Sequence, residues 1–239
     1  MDFITQGWLQ GIHEISATAK HSVGALRLTA DGRKFRYAKA GGTLSAGKAT
    51  VAPQANADHV DEAITAAVAV GTSQLTLTVT AGTAIAEDNL KGGFLQINDE
   101  AGEGHQYLID SNTAISSSGT DIVVTLVDPI RVALTTSSEF SLITNPFMDV
   151  TSSATDENFC TGVCPMAVTD NYYFWSQTGG PACALILDTP AVGSNLIYSP
   201  SGALAVIATD VDVDVPIVGY AYGTAGVTTE YKPVFLTID

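Results

Sequence analysis

Apolar and polar residues alternate along much of this chain with the two-residue period of a half-buried strand. The clearest run is Gln74-Leu75-Thr76-Leu77-Thr78-Val79-Thr80, in which Leu75, Leu77 and Val79 turn toward a core and the threonines turn away. Similar runs at 94–98, 105–109, 122–127 and 139–143 predict a meander, with a turn at 98–104 folding one pair into a hairpin. Further on, the aromatic run 172–178 is expected to end at Gly179-Gly180-Pro181. The runs 182–187, 195–198, 203–209, 217–221 and 234–238 then follow at roughly the 8 to 12 residue spacing of sandwiches and barrels. Residues 63–70 fit a short helix and a strand equally well.

Near the N-terminus, Ala25–Ala30 and Arg33–Ala38 flank Asp31-Gly32, a dipeptide favoured in the two-residue type I′ turn of a β-hairpin. Phe35 and Tyr37 then share one face of the second strand, and Lys34, Arg36 and Ala38 share the other. Residues 1–22 show no sustained period and read as an extended arm or a short strand. No repeat of fixed period is evident. The expected fold is all-β and mainly antiparallel, with sandwich or barrel lobes and an extended N-terminal arm. Pro53 and Asn145-Pro146 mark the expected boundaries. They give an arm and basic hairpin (1–52) packing on the body, a middle lobe (53–146) and a C-terminal lobe (147–239).

Composition agrees with that class: 46% of the 239 residues are hydrophobic and 15% are charged, and the long helix formers are scarce. Charge adds a polarity. The formal net charge is −15, yet residues 1–48 carry seven Lys/Arg against three acids, a net of +4, which leaves −19 for the rest. An acidic body disfavours nucleic acid, whose phosphates are held mainly by Lys and Arg. The basic segment is expected either to dock on an acidic neighbour or to stand as a solvated hairpin. Its candidate interface residues are Arg27, Arg33, Lys34, Arg36, Tyr37 and Lys39. The opening residues MDFITQGWLQ lack the charged leader and apolar run of a signal peptide, and no stretch nears the ~20 apolar residues of a spanning helix. No membrane partner is therefore expected.

Candidate chemistry is sparse, and no enzymatic activity or cofactor is expected. Cys160 and Cys164 form a C-x3-C pair without the second pair that a four-ligand zinc site needs. His13, His21, His59 and His105 are scattered and read as surface residues. Asp58, His59, Asp61 and Glu62 form a local cluster without a motif behind it. Asp99, Glu100 and Glu103 lack the spacing of a calcium loop. Asp210, Asp212 and Asp214 read as a strand face of like charges that discourages edge pairing. Tyr172, Tyr173, Phe174 and Trp175 read as core, with a carbohydrate platform as the alternative.

Three segments carry a resemblance: Asp31-Gly32-Arg33-Lys34-Phe35-Arg36-Tyr37-Ala38-Lys39-Ala40-Gly41, Gly92–Asn98 with Gly102-Glu103-Gly104, and Tyr172–Pro181. On these the chain resembles virion structural proteins of cyanophages and other marine tailed phages. The resemblance implies a capsid decoration or cement subunit on the outside of a virion. Its partners would be the major capsid protein and its own copies, commonly as a homotrimer. The alternative is a head-fibre or tail-associated module that holds host surface glycans on the 172–175 strand.

Overall fold

The structure, a computed structural model, describes residues 7–152, 159–207, 215–223 and 227–239. Strand makes up 42% of the chain and helix 3%, so the all-β expectation holds. Among the described residues no helix is long and apolar enough to cross a membrane. The chain divides into two compact units. Unit 1 comprises Met1–Pro53 with Pro146–Asp239, and unit 2 is Gln54–Asn145. The segments 1–52 and 147–239, read above as successive pieces, belong to one unit.

Unit 1 begins with β1 (Leu26–Leu28), β2 (Lys34–Lys39) and β3 (Ala49–Val51). The β1–β2 hairpin forms with the expected faces, but its turn differs from the type I′ expectation. The Gly32 amide donates to the Thr29 carbonyl and the Thr29 amide to the Arg33 carbonyl. Gly32 is left-handed at φ +84° and Asp31 is not. This is the three-residue loop in which a turn is followed by one glycine that relieves the strand twist. The Thr29 hydroxyl and the Arg33 guanidinium both hold the Asp31 carboxylate, which stabilises the longer loop.

Unit 2 contains β4 (Glu62–Ala63), β5 (Gln74–Thr78), β6 (Phe94–Asp99), β7 (Gln106–Asn112), β8 (Asp121–Leu126) and β9 (Glu139–Ile143). They form one antiparallel sheet in the order β4-β9-β6-β7-β8-β5. The sheet curls until its outer strands approach. Just past β5 the Thr80 amide donates to the Asp58 carbonyl at 3.1 Å, and Thr78 meets Thr65 through their hydroxyls. Inside lie Leu75, Leu77, Leu95, Ile97, Ile122, Val124, Phe140 and their neighbours, the inward halves of the alternating runs. Residues 63–70, open between helix and strand, are neither: past the short β4 they make a single bridge at Val68.

The chain returns to unit 1 through β10 (Cys160–Val163), β11 (Tyr173–Ile186), β12 (Asn195–Tyr198), β13 (Leu204–Val206), β14 (Ile217–Ala221) and β15 (Glu230–Thr237). The expected stop at Gly179-Gly180-Pro181 does not occur. β11 runs through it for 14 residues, with a register shift between Gln177 and Gly179. The Gln177 side-chain amide donates to the carbonyls of Gly179 and Pro181 across the bend. Before the bend β11 pairs with β2 and β10; after it, β11 pairs with β15 and β13. With β13–β12, β12–β14 and β14–β15 pairing in turn, the second half of β11 closes a five-stranded ring. Ile186, Leu196, Leu204, Val218, Val234 and Leu236 fill that barrel. The Asp210, Asp212 and Asp214 row lies outside the described residues.

A local device recurs in both units without a fixed period. Leu44, Val68, Ile85, Ile115, Leu134 and Val168 each make one isolated bridge, are followed at once by a hydrogen-bonded turn, and lead into a strand. They pair with each other, Leu44 with Val168, Val68 with Leu134 and Ile85 with Ile115, by reciprocal amide–carbonyl bonds of 2.9 to 3.0 Å. Each bridge satisfies backbone groups that a buried connection would otherwise orphan.

Candidate functional site

Four of the seven cations of the basic segment are paired within unit 1. Arg36 makes a two-toothed ion pair with the Asp239 carboxylate at 2.5 and 3.0 Å, and the Lys34 ammonium donates to the Asp239 carbonyl at 2.8 Å. These bonds from Arg36, more than the field of either cation, hold the Asp239 carboxyl below the usual range. Lys39 pairs with Asp149 at 2.7 Å and Arg33 with Asp31 at 2.8 Å. The Arg27 guanidinium lies over the rings of Trp8 and Trp175 at 5.2 and 5.4 Å and donates to the Gln10 carbonyl. Tyr37 is fully buried, and its hydroxyl donates to Gln10 Oε1 at 2.6 Å. Tyr37 is withheld from the surface, and four of the five candidate cations, all partly exposed, meet acidic side chains or the Asp239 carbonyl.

The other candidates dissolve into structure in the same way. Phe174 and Trp175 are fully buried, with the Trp175 indole donating to the Gln10 carbonyl, while Tyr172 and Tyr173 pack partly buried against the same cores. Cys160 and Cys164 are buried, and desolvation pushes the Cys160 thiol up to about 12 and the Cys164 thiol higher still. Asp58 accepts from Thr83, Asp61 from Asn98 and Glu62 from the Thr80 amide, so the acids of that cluster serve separate donors. Asp99 and Glu100 close a hairpin tip. Among the described residues no three His, Cys, Asp or Glu side chains converge to hold a metal. His59 departs from the surface expectation. It is 5% exposed, its Nε2 has no partner, and burial lowers its pKa against the pull of Asp58 and Glu62.

What the structure brings together instead is the outward face of the unit 1 barrel. Strand pairing sets three rows side by side. Pro181, Phe235 and Tyr220 form one, Cys183, Pro233 and Tyr222 the next, and Leu185 with Tyr231 the third. Ile217 and Thr237 extend the face at one end. Tyr220 and Phe235 are each 41% exposed, Tyr231 55% and Tyr222 58%. The rings of Tyr222 and Phe235 approach to 6.2 Å. No position in these rows carries a charge, although outward positions of a water-facing sheet are ordinarily polar.

A groove of about 690 Å³ opens beside the rows, walled by Tyr222, Tyr231, Pro233, Pro181 and Cys183, with His13 and Arg33 at its rim. Its walls are held in place. The Tyr231 ring lies against Gly47, where a Cβ would sit 2.6 Å from ring carbons. Pro233 lies closer still over Gly223, 2.2 Å from where a Cβ would sit. Any larger residue at either glycine would displace a wall. The alternation of β15 shows in the sequence, but both of its rows are rich in apolar residues. Which row faces water is decided by barrel closure, which turns Lys232, Val234 and Leu236 inward and leaves Tyr231, Pro233 and Phe235 outside.

Comparison of the chain with family models, with curated proteins and with solved structures finds no match.

Proposed function

We propose that the chain is a non-enzymatic structural protein of a virus particle, a decoration subunit that stabilises the outside of a tailed-phage head. The observation that carries this reading is the uncharged, half-exposed aromatic face of unit 1 with its prebuilt groove. Docking such a face releases water from apolar surface, worth about 25 cal/mol per Å² before the costs of association. A shell that repeats the same docking site many times adds multivalency, so a modest single contact suffices. The acidic remainder of the surface keeps free copies soluble until they dock. The resemblance of the 31–41, 92–104 and 172–181 segments to marine phage virion proteins supports the location on a capsid, with the major capsid protein as partner.

In this reading the adhesive is the aromatic face and the basic hairpin is internal scaffolding. Binding is then expected to be nearly independent of salt, whereas a contact through exposed Lys and Arg would weaken as salt screens it. Co-sedimentation with undecorated cyanophage heads at low and high salt measures this. Retention at both, reduced at least tenfold by Tyr222→Asp, is the expected result. Absence of binding at every salt concentration overturns the reading.

A further inference from the structure

Resting on that reading of the face, we propose that what the shell places in the groove is an extended, proline-rich segment in the polyproline II conformation. The first observation is area. Four half-exposed rings offer about 400 Å², roughly half of the ~800 Å² per partner that a stable contact between folded proteins buries. A flat docking of one folded surface on another is therefore undersized. A single segment needs less, because the groove encloses it. The second observation is the backbone. β15, which carries Tyr231 and Pro233, is bonded on one side to β11 and on the other to β14, so it has no free edge on which a partner strand could be added. An entering segment must do without ladder bonds. Polyproline II is the conformation that makes none and keeps its backbone open to water.

The third is spacing. Tyr222 bonds beside Pro233, which lies two residues along β15 from Tyr231. One strand across and two residues along sets the two tyrosine backbones about 8 Å apart. One turn of polyproline II advances about 9 Å and returns every third residue to the same face. Two prolines one turn apart therefore meet Tyr222 and Tyr231 ring by ring, the way aromatic-lined grooves hold such segments. Gly47 and Gly223 keep the walls at that spacing, so little order is lost on binding. The fourth is polarity. Of the 25 Asp and Glu in the chain none lines the groove, and the polar groups there include the hydroxyls of Tyr222 and Tyr231 and the Arg33 guanidinium, all able to donate. The carbonyls of a polyproline II segment are free to accept, and proline brings no N–H that would need an acceptor.

Fluorescence anisotropy of fluorescein-labelled decaproline with the full chain is expected to show saturable binding. A labelled decapeptide of alternating Gly and Ser, which lacks the preset conformation, should bind at least tenfold more weakly. Tyr231→Ala and Tyr222→Ser should each weaken decaproline at least tenfold with unchanged far-UV circular dichroism. Tyr222 is exposed and lies beyond the last residue of β14, so its variant carries the test should Tyr231→Ala fail to fold. Absence of saturation, equal binding of the Gly-Ser peptide, or indifference to Tyr222→Ser overturns the proposal. So does maltohexaose bound in place of decaproline, or a wild type that sediments at twice the 24.8 kDa chain mass with its groove closed to the peptide. Excess decaproline should also release the protein from heads. Heads that hold the protein through Tyr222 while decaproline neither binds nor competes leave the decoration role standing and remove the proline segment. Decaproline bound through Tyr222 by a protein that ignores heads does the reverse.

Discussion

Units 1 and 2 are built alike and finished differently. Both are antiparallel for most of their pairings, both curl around an aliphatic interior, and both use the bridge, turn and strand device, at Leu44 and Val168 in one and at Val68, Leu134, Ile85 and Ile115 in the other. Their outward rows diverge. In unit 2 the outward positions include Gln74, Thr76, Asp110, Asp121 and Asn98, and the exposed large apolar residues are aliphatic, such as Val70, Leu108, Val127 and Val132. In unit 1 the same kind of strand turns Tyr220, Tyr231 and Phe235 to water. Interior packing and surface chemistry are thus set separately, because a two-residue period lets one row fill a core while the other row answers to different demands.

That contrast can be broken from the inside. Both tryptophans, Trp8 and Trp175, belong to unit 1, so indole fluorescence follows unit 1 while far-UV circular dichroism follows both units. Removing the fully buried Trp175 ring by Trp175→Ala is expected to cost about 3–5 kcal/mol. Leu95→Ala in the unit 2 core should cost about 2–5 kcal/mol, read in urea by circular dichroism, with the fluorescence midpoint of unit 1 unmoved. Equal movement of both signals would show that the two units unfold as one.

Acid sharpens the contrast with a smaller effect. His59 in unit 2 and His21 in unit 1 both have pKa values lowered first by burial, and in His21 also by Arg27. A histidine whose folded pKa is depressed takes up its proton more readily when unfolded. Its contribution to stability is whole above about pH 6.5 and is lost as pH falls toward the depressed folded value. His59→Gln should flatten the acid slope of the circular dichroism midpoint between about pH 7 and 5. His21→Gln should flatten that of the fluorescence midpoint, since His21 lies 5.2 Å from the Trp175 ring. A slope unchanged in either variant would place the acid sensitivity elsewhere. The smallest effect concerns the clamp on the hairpin. Asp239→Asn removes the Arg36 ion pair and should lower unit 1 stability by about 0.2–1 kcal/mol, an effect that diminishes in high salt.

The strands were legible wherever one row was apolar and the other polar, as in β5 and β8, and the faces of β2 were legible for the same reason. Three things were not. The six bridging residues have no period, because each pairs at a single position with a residue as many as 124 places away. β11 reads as two strands because Gly-Gly-Pro is a stop in local terms. Its continuity depends on Gln177 bonding to the carbonyls at the bend and on β15 pairing along its second half. The charge polarity of the sequence did not reveal the ion pairs that form within unit 1. The acids that neutralise Arg36 and Lys39 are Asp239 and Asp149, distant in sequence and adjacent only after folding. The interface candidates Arg27, Arg33, Lys34, Arg36, Tyr37 and Lys39 were chosen from a charge pattern that said nothing of these partners, and the cations among them remain partly exposed.

The order in which the chain leaves the ribosome gives the shared strand β11 a further meaning. Unit 2 is one uninterrupted stretch and can fold while synthesis continues, whereas β2 must wait more than a hundred residues for β11, and the barrel stays open until β15 arrives. Tyr231, Pro233 and Phe235 of the aromatic face all belong to β15, so that face does not form before β15 is in place.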